Sequence, residues 1–357
     1  AYIEIAEKAV ETGFLYTGTR NQMPLYPYLQ ALFGNPAADK KTFFEEGKTL
    51  NIILSLLLLG GIFGIARHFF TTKRAIIITL ISTVSIFIFK APYFQAELLY
   101  YFLSFLGFLG LAALLIAPNW KIGVGTGLVL GLAYLTKASI LPMLFAFSVV
   151  FLIQMAINAW RQKNAPNLAT AWISFGVTLL IFGLVLAPYL FESKEKYGHY
   201  FYNVNSTFYL WYDSWDEAVA DTEEYGYREH YPDLPPDEIP SLSKYLREHT
   251  WTQIGERFSY GLYVQVMLIL FAFSRVNYIL LYFLASVILS LRRNSWQRLK
   301  PLFEQYWAVI LFTSLILGGY LTLYAWYNPF AGGTRFIYSI FLIALFASAF
   351  SYDKVVK

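Results

Sequence analysis

The chain has 357 residues, 57% of them hydrophobic and only 14% charged, where a soluble domain carries roughly 25% charged residues. It has no cysteine, so disulfides and thiolate metal sites are excluded. The net charge of +4 is no sign of a nucleic-acid partner, because the basic residues follow a membrane topology.

The chain opens at Ala1, without Met, in a segment whose Tyr2, Ile3, Ala6 and Val10 give it an amphipathic helical pattern. We therefore expect further chain upstream, including a first span. Beyond it, runs such as Asn51–Ala66, Ala75–Phe89, Leu98–Ala117 and Ala169–Tyr189 are nearly free of charge. A helix needs about 20 apolar residues to cross a bilayer, and in lipid every backbone polar group must be bonded internally. The expected fold is an all-α polytopic membrane protein, with about nine transmembrane helices in this chain. They fall at about 50–66, 75–90, 98–117, 122–136, 141–159, 169–190, 276–291, 305–325 and 336–351. The 28 Tyr, 32 Phe and 9 Trp suit membrane interfaces and also sugar binding.

The connecting segments alternate in character. One set is short and basic: Arg67, Lys73 and Arg74; Lys121; Arg161 and Lys163; Arg292, Arg293, Arg298 and Lys300; Lys354 and Lys357. The positive-inside rule makes this set cytoplasmic. Residues 1–49, 90–97, 137–140, 191–275 and 326–335 are then external, and no span is discarded to keep the alternation. The chain divides into an N-terminal membrane part with the first external loop (1–190), an external loop or cap (191–275) and C-terminal membrane helices (276–357). The cap is rich in Tyr, Asp, Glu and Pro. It ends in the apolar stretch Ile254–Ala272 before Arg275, which reads as an interfacial or re-entrant helix.

Four polar signatures fall in the external set. Arg20 and Asn21 precede Pro24-Leu25-Tyr26-Pro27, where two prolines stiffen a loop and could fix Arg20 and Tyr26. A guanidinium offers phosphate several donors in a plane; the plain reading is a solvated Arg beside a turn. Glu97 follows Lys90-Ala91-Pro92-Tyr93 and opens an apolar span. It is a simple helix-dipole partner or a carboxylate kept ionised as a general base or metal ligand. Lys137 ends a span carrying Gly123, Gly125, Gly127 and Gly131, residues that permit close helix packing. Snorkelling lysines are common at span ends, but this one is on the side the charge rule disfavours. Arg335 follows Gly332-Gly333, whose backbone could approach an anion or merely turn the chain. Taken together, Arg20, Lys137 and Arg335 form an expected phosphate site beside the carboxylate of Glu97, with Asn21, Tyr26 and Tyr93 positioning substrate. The four histidines lack metal-ligand spacing, and no GxxxxGK[ST] loop is present.

These stretches resemble the C-type membrane glycosyltransferases. The resemblance is to the group of protein O-mannosyltransferase-like enzymes, the aminoarabinose transferase acting on lipid A and the bacterial lipopolysaccharide-core transferases. Arg20 through Pro27 is similar to the family's R/D-x-P-P-L-Y-P, and Gly127 through Lys137 to its G-L-x-x-G-L-A-x-L-T/S-K/R. Glu97 stands at the place of an acidic residue in the family pattern. The segment Pro188–Trp211, with Tyr197-Gly198-His199-Tyr200 and Asn205-Ser206-Thr207, looks like the family's stretch after its long span. Gly333-Thr334-Arg335-Phe336 looks like its late R-F/Y. The family's loop acidic residue, usually Asp, would precede Tyr2; Glu4 and Glu7 lie within the helix and are poor substitutes.

The resemblance implies an inverting transfer of a sugar from a polyprenyl-phosphate donor to an acceptor hydroxyl on a lipid, glycan or protein. It implies a multi-pass protein of the bacterial inner (plasma) membrane with its site facing away from the cytoplasm. A divalent metal fits beside the carboxylates, but the sequence does not demand one. Expected partners are the lipid donor, the acceptor and membrane lipids, not nucleic acid. A carrier or flippase for a lipid-linked sugar or other anionic solute would share the spans and cations. Such carriers often show internal repeats or paired broken spans, and neither is visible. A non-catalytic scaffold leaves the one-sided charges unexplained.

Overall fold

The computed structural model describes residues 2–14, 22–36, 38–160, 166–224, 234–272, 288, 293–330 and 332–356. All regular structure among them is helical. Seven helices are long and apolar enough to cross a membrane. They are α3 (Lys40–Phe69), α4 (Thr72–Lys90), α5 (Glu97–Ile116), α7 (Leu141–Trp160), α8 (Pro166–Tyr197), α12 (Arg293–Tyr327) and α13 (Thr334–Val356). The expected span 122–136 is the shorter apolar helix α6 (Trp120–Thr136). The expected span 276–291 lies outside the described residues, apart from position 288.

Local chemistry sets the helix boundaries. Asp39 caps α3 by accepting from the Lys41 and Thr42 amides, and Asn119 caps α6 by accepting from the Lys121 amide. The helix α4 contains a π-helical segment at Thr83–Phe87. Long α12 has a kink at Tyr306, close to where the sequence reading begins its span. Two shorter helices precede the bundle: α1 (Tyr2–Glu11), which buries Ile5, Ala6 and Ala9, and α2 (Leu25–Phe33). Pro24 and Pro27 do not stiffen a loop, as the sequence reading expects. Pro24 is the N-cap of α2 and Pro27 lies in its first turn. Proline is tolerated there because first-turn amides have no intrahelical acceptor.

Three of the four glycines of α6 act as the sequence reading expects, while Gly125 faces open space. A Cβ on Gly123 would meet the Ser174 carbonyl, on Gly127 the Thr178 carbonyl and on Gly131 the Val185 side chain. Both partner sets advance along the chain together, so α6 and α8 run parallel in close contact. Between α5 and α6 the order reverses: Gly107 faces Leu130 and Gly110 faces Thr126, an antiparallel pair. Helix α13 runs parallel to α5, with Tyr101 beside Tyr338 and Phe105 beside Phe346. At the opposite end of these two helices, Arg74 of α4 pairs with Asp353 of α13.

The cap region carries α9 (Trp215–Glu224), α10 (Leu242–Glu248) and α11 (Trp251–Ala272). Its small core of Tyr197, Tyr202, Val204, Phe208, Tyr209, Tyr212 and Ala218 closes on Phe330, in the loop between α12 and α13. Helix α11 is continuous where an interfacial or re-entrant helix is expected, and it is not among the seven apolar spans. It meets the end of α12 at Gly261, where a side chain would collide with the Ala325 backbone. Its Gln265 donates to the Tyr324 carbonyl and to Asn328 Oδ1, both at 3.3 Å.

Candidate active site

Glu97 is the first residue of α5 and is 8% exposed. The loop before it is held firmly. Asn51 of α3 donates to the carbonyls of Ala91 and Tyr93 at 3.1 and 2.6 Å. Phe94 packs among Tyr2, Tyr26, Phe43 and Phe44. It fills the space over Gly47, where any β-carbon would overlap its ring. This anchoring fixes the first turn of α5 against α1, α2 and α3.

Lys137 caps the C-terminus of α6. It is surrounded by protein, though the residue keeps some accessible surface. Its Nζ lies 5.7 Å from the Tyr100 ring centre and 5.3 Å from that of Phe336. Burial holds the Lys137 ammonium below its ordinary value; Glu97 opposes this, and Arg335 and Lys90 reinforce it. Glu97, Arg335 and Lys90 therefore all lie within electrostatic reach of Lys137.

Arg335 is an exposed residue in the first turn of α13. Its guanidinium carbon lies 4.9 Å from the Phe336 ring centre, so the one ring is flanked by both cations. The loop before it has Gly333 at φ +130°, a conformation that favours glycine. Among the described residues none of the three cations forms a direct ion pair with Glu97. One carboxylate oxygen, Glu97 Oε2, is buried without a hydrogen-bond partner there. The Tyr26 hydroxyl is in the same state, beside Gln30 and the Gln95 backbone but well bonded to neither. A buried charged oxygen left unsatisfied is costly, so this geometry is one that a ligand's hydroxyl would complete.

The structure thus brings together Glu97, Lys137 and Arg335, with Tyr26 adjoining through Tyr2 and Phe94. Arg20 and Asn21 lie outside the described residues. Tyr93 is 53% exposed, and its ring lies under Lys90 Nζ at 5.6 Å. Three residues of the cluster escaped the sequence reading as site members. Lys90 is an external cation by the same topology that singled out Lys137 and could have been found that way. Tyr2 was taken only as part of an amphipathic pattern. Burial, and behind it the Glu97 charge, raise its hydroxyl above the ordinary tyrosine value. Tyr101, one turn after Glu97, is hidden in an apolar run, and nothing local distinguishes it. Among the described residues no three His, Asp or Glu side chains gather where a metal could sit.

Residues 22–183 match the model of the dolichyl-phosphate-mannose-protein mannosyltransferase family. The match supports the C-type membrane glycosyltransferase group. It covers somewhat under half of the chain, and includes Tyr26, Lys90, Glu97, Tyr101 and Lys137. The cap and Arg335 lie beyond the matched region. The family's description names mannose on dolichyl phosphate as the donor and protein as the acceptor. No curated protein and no solved structure matches the chain.

Proposed function

We propose that this protein transfers a sugar from a polyprenyl-phosphate donor to an acceptor hydroxyl at the external face of a bacterial inner membrane. The observation that carries this reading is the Glu97 carboxylate, buried with one oxygen lacking a hydrogen-bond partner and within electrostatic reach of Lys137, around which Arg335 and Lys90 also gather. The local excess of positive charge suits a phosphate, and the free oxygen suits a hydroxyl. In the reaction the acceptor oxygen attacks the anomeric carbon while the bond from that carbon to the phosphate oxygen breaks. The hydroxyl proton passes to a carboxylate, a role Glu97 is placed to take or to share. Charge develops on the departing lipid phosphate, and Lys137 and Arg335 stabilise it. Tyr26, with a buried hydroxyl lacking a partner, positions the polar substrate. The same reading assigns residues 191–275 to the external side, between the membrane parts 1–190 and 276–357 in the chain.

The test is Glu97→Gln in liposomes loaded with polyprenyl-phosphate sugar, scoring loss of sugar from the lipid. Transfer should fall by roughly 10²–10⁴-fold, the usual range for acid/base assistance, with lipid binding retained. Near-normal turnover would leave Glu97 a helix-dipole partner. Movement of intact lipid-linked sugar without any transfer by the parent protein would make it a carrier.

A further inference from the structure

Tyr101 is 1% exposed and lies one helical turn after Glu97 on α5. Its hydroxyl donates to the backbone carbonyl of Arg335 at 2.6 Å. A second span grips the same turn of α13. The Tyr324 and Ser339 hydroxyls are 2.7 Å apart, and Ser339 donates to the Phe336 carbonyl at 2.6 Å. The Arg335 side chain is exposed and the Lys137 side chain partly so, with Phe336 between them. The backbone of Arg335 is therefore fixed while its guanidinium stays available.

We propose that Tyr101 is the positioning residue of the cation pair: it holds Arg335 at a set distance from Glu97, so that leaving phosphate and attacking hydroxyl are engaged together. Helix α5 then carries both the carboxylate and the tether of the cation, one turn apart, and the spacing is as rigid as the helix. This inference rests on the lipid-phosphate reading above. Tyr101 touches no substrate; it acts through Arg335 alone. Tyr324 supports the turn from the far side through Ser339 and Phe336, not through Arg335.

The test is Tyr101→Phe, which keeps the ring and removes the hydroxyl, alone and combined with Arg335→Ala. The probe is a polyprenyl phosphate without sugar, titrated onto the purified full-length protein in nanodiscs, alongside a transfer assay with the sugar-bearing lipid. Tyr101→Phe should weaken lipid-phosphate binding roughly three- to tenfold, as loss of one neutral hydrogen bond does. In the Arg335→Ala background it should cost nothing further. Wild-type affinity in Tyr101→Phe overturns the inference. An equal loss in both backgrounds also overturns it, because a merely structural role is additive. If the parent protein binds no polyprenyl phosphate, the functional reading fails and the inference with it. If the parent binds the lipid and Tyr101→Phe is silent, only the inference fails.

Discussion

The ring of Phe94 rests on the bare backbone of Gly47, a contact that joins the loop before Glu97 to the helix α3. A β-carbon at Gly47 would have to displace a ring already packed between Tyr2, Tyr26 and Phe43. Gly47→Ala should therefore destabilise the protein by about 1–3 kcal/mol, the usual cost of overpacking a filled site. Transfer activity should fall with it, because the loop leads directly into Glu97. Thermal unfolding in detergent reads the first effect. Adding Phe94→Leu should restore part of the stability. A Gly47→Ala protein as stable as the parent would show that this contact does not anchor the loop.

Removing either cation should weaken the donor, not the fold. Lys137→Ala and Arg335→Ala each lose a charge-assisted contact to phosphate, expected to cost about 1.5–3 kcal/mol. A snorkelling lysine would cost almost nothing on removal. Donor titration of the two variants decides this, with unfolding temperature as the control. Unchanged affinity in both would take them out of the site.

The cap is tied down by a cluster that should respond to pH. Asp213 receives the Tyr245 hydroxyl at 2.9 Å and Arg257 Nη1 at 2.8 Å, and it meets His249 Nε2 at 2.6 Å. Arg257 also donates to the carbonyls of Leu210 and Trp326, at 3.1 and 3.2 Å. Burial works against the Asp213 charge, but His249, Tyr245 and Arg257 outweigh it and hold the carboxyl below its usual 3.8. Burial likewise disfavours the imidazolium, yet Asp213 and the Tyr245 carbonyl raise His249 above 6.5. The Asp213 contribution is present above pH 3.8 and is lost as pH falls through its lowered value. The His249 contribution is complete below pH 6.5 and fades as pH rises through its raised value. The cluster should therefore protect the cap best between about pH 4 and 6.5. Amide protection in Trp215–Glu224 and Leu242–Glu248, corrected for the intrinsic pH dependence of exchange, should be greatest there, and His249→Gln should flatten the alkaline side only. A flat profile in the parent would rule the His249 link out.

Topology can be tested cleanly because the native chain has no cysteine. Ser243 and Gln297 are both exposed. The Lys/Arg bias places Ser243 outside and Gln297 inside. An impermeant thiol reagent applied to intact cells should label Ser243→Cys and spare Gln297→Cys. Labelling of both from one side would remove the external assignment of the site.

Hydropathy made the bundle legible, because a span of twenty apolar residues is a strong local signal. The Gly123–Gly131 stripe even showed which helix face packs closely. The candidate site drew notice where a charge broke an apolar run, as at Glu97, Lys137 and Arg335. It was not legible where the residue is itself apolar in pattern. Tyr101 reads as one aromatic in Glu97–Ile116, and only its bond to a carbonyl 234 positions away gives it meaning. The Asp213–His249–Arg257 cluster was hidden for a related reason. His249 and Arg257 lie 36 and 44 residues from Asp213, and nothing local in either segment points back to that carboxylate. Pro24 and Pro27 misled in the opposite direction, since the same residues that break a helix interior are at home in its first turn.

The close contact of α6 with α8 also decides what the lipid touches. These two helices are separated in sequence by α7, yet they zip together along Gly123, Gly127 and Gly131. Beside that seam, α7 packs against α12 and lays Phe147 and Phe151 against Phe175 of α8, and it turns Phe145, Leu152 and Ile153 outward. Between α7 and α12 a recess of about 550 Å³ remains, walled by Pro142, Phe145, Val149, Leu315 and Leu323. Three residues without side chains thus shape the hydrocarbon-facing contour of the molecule: bulk at any of them would wedge the seam and remodel a flank it does not touch.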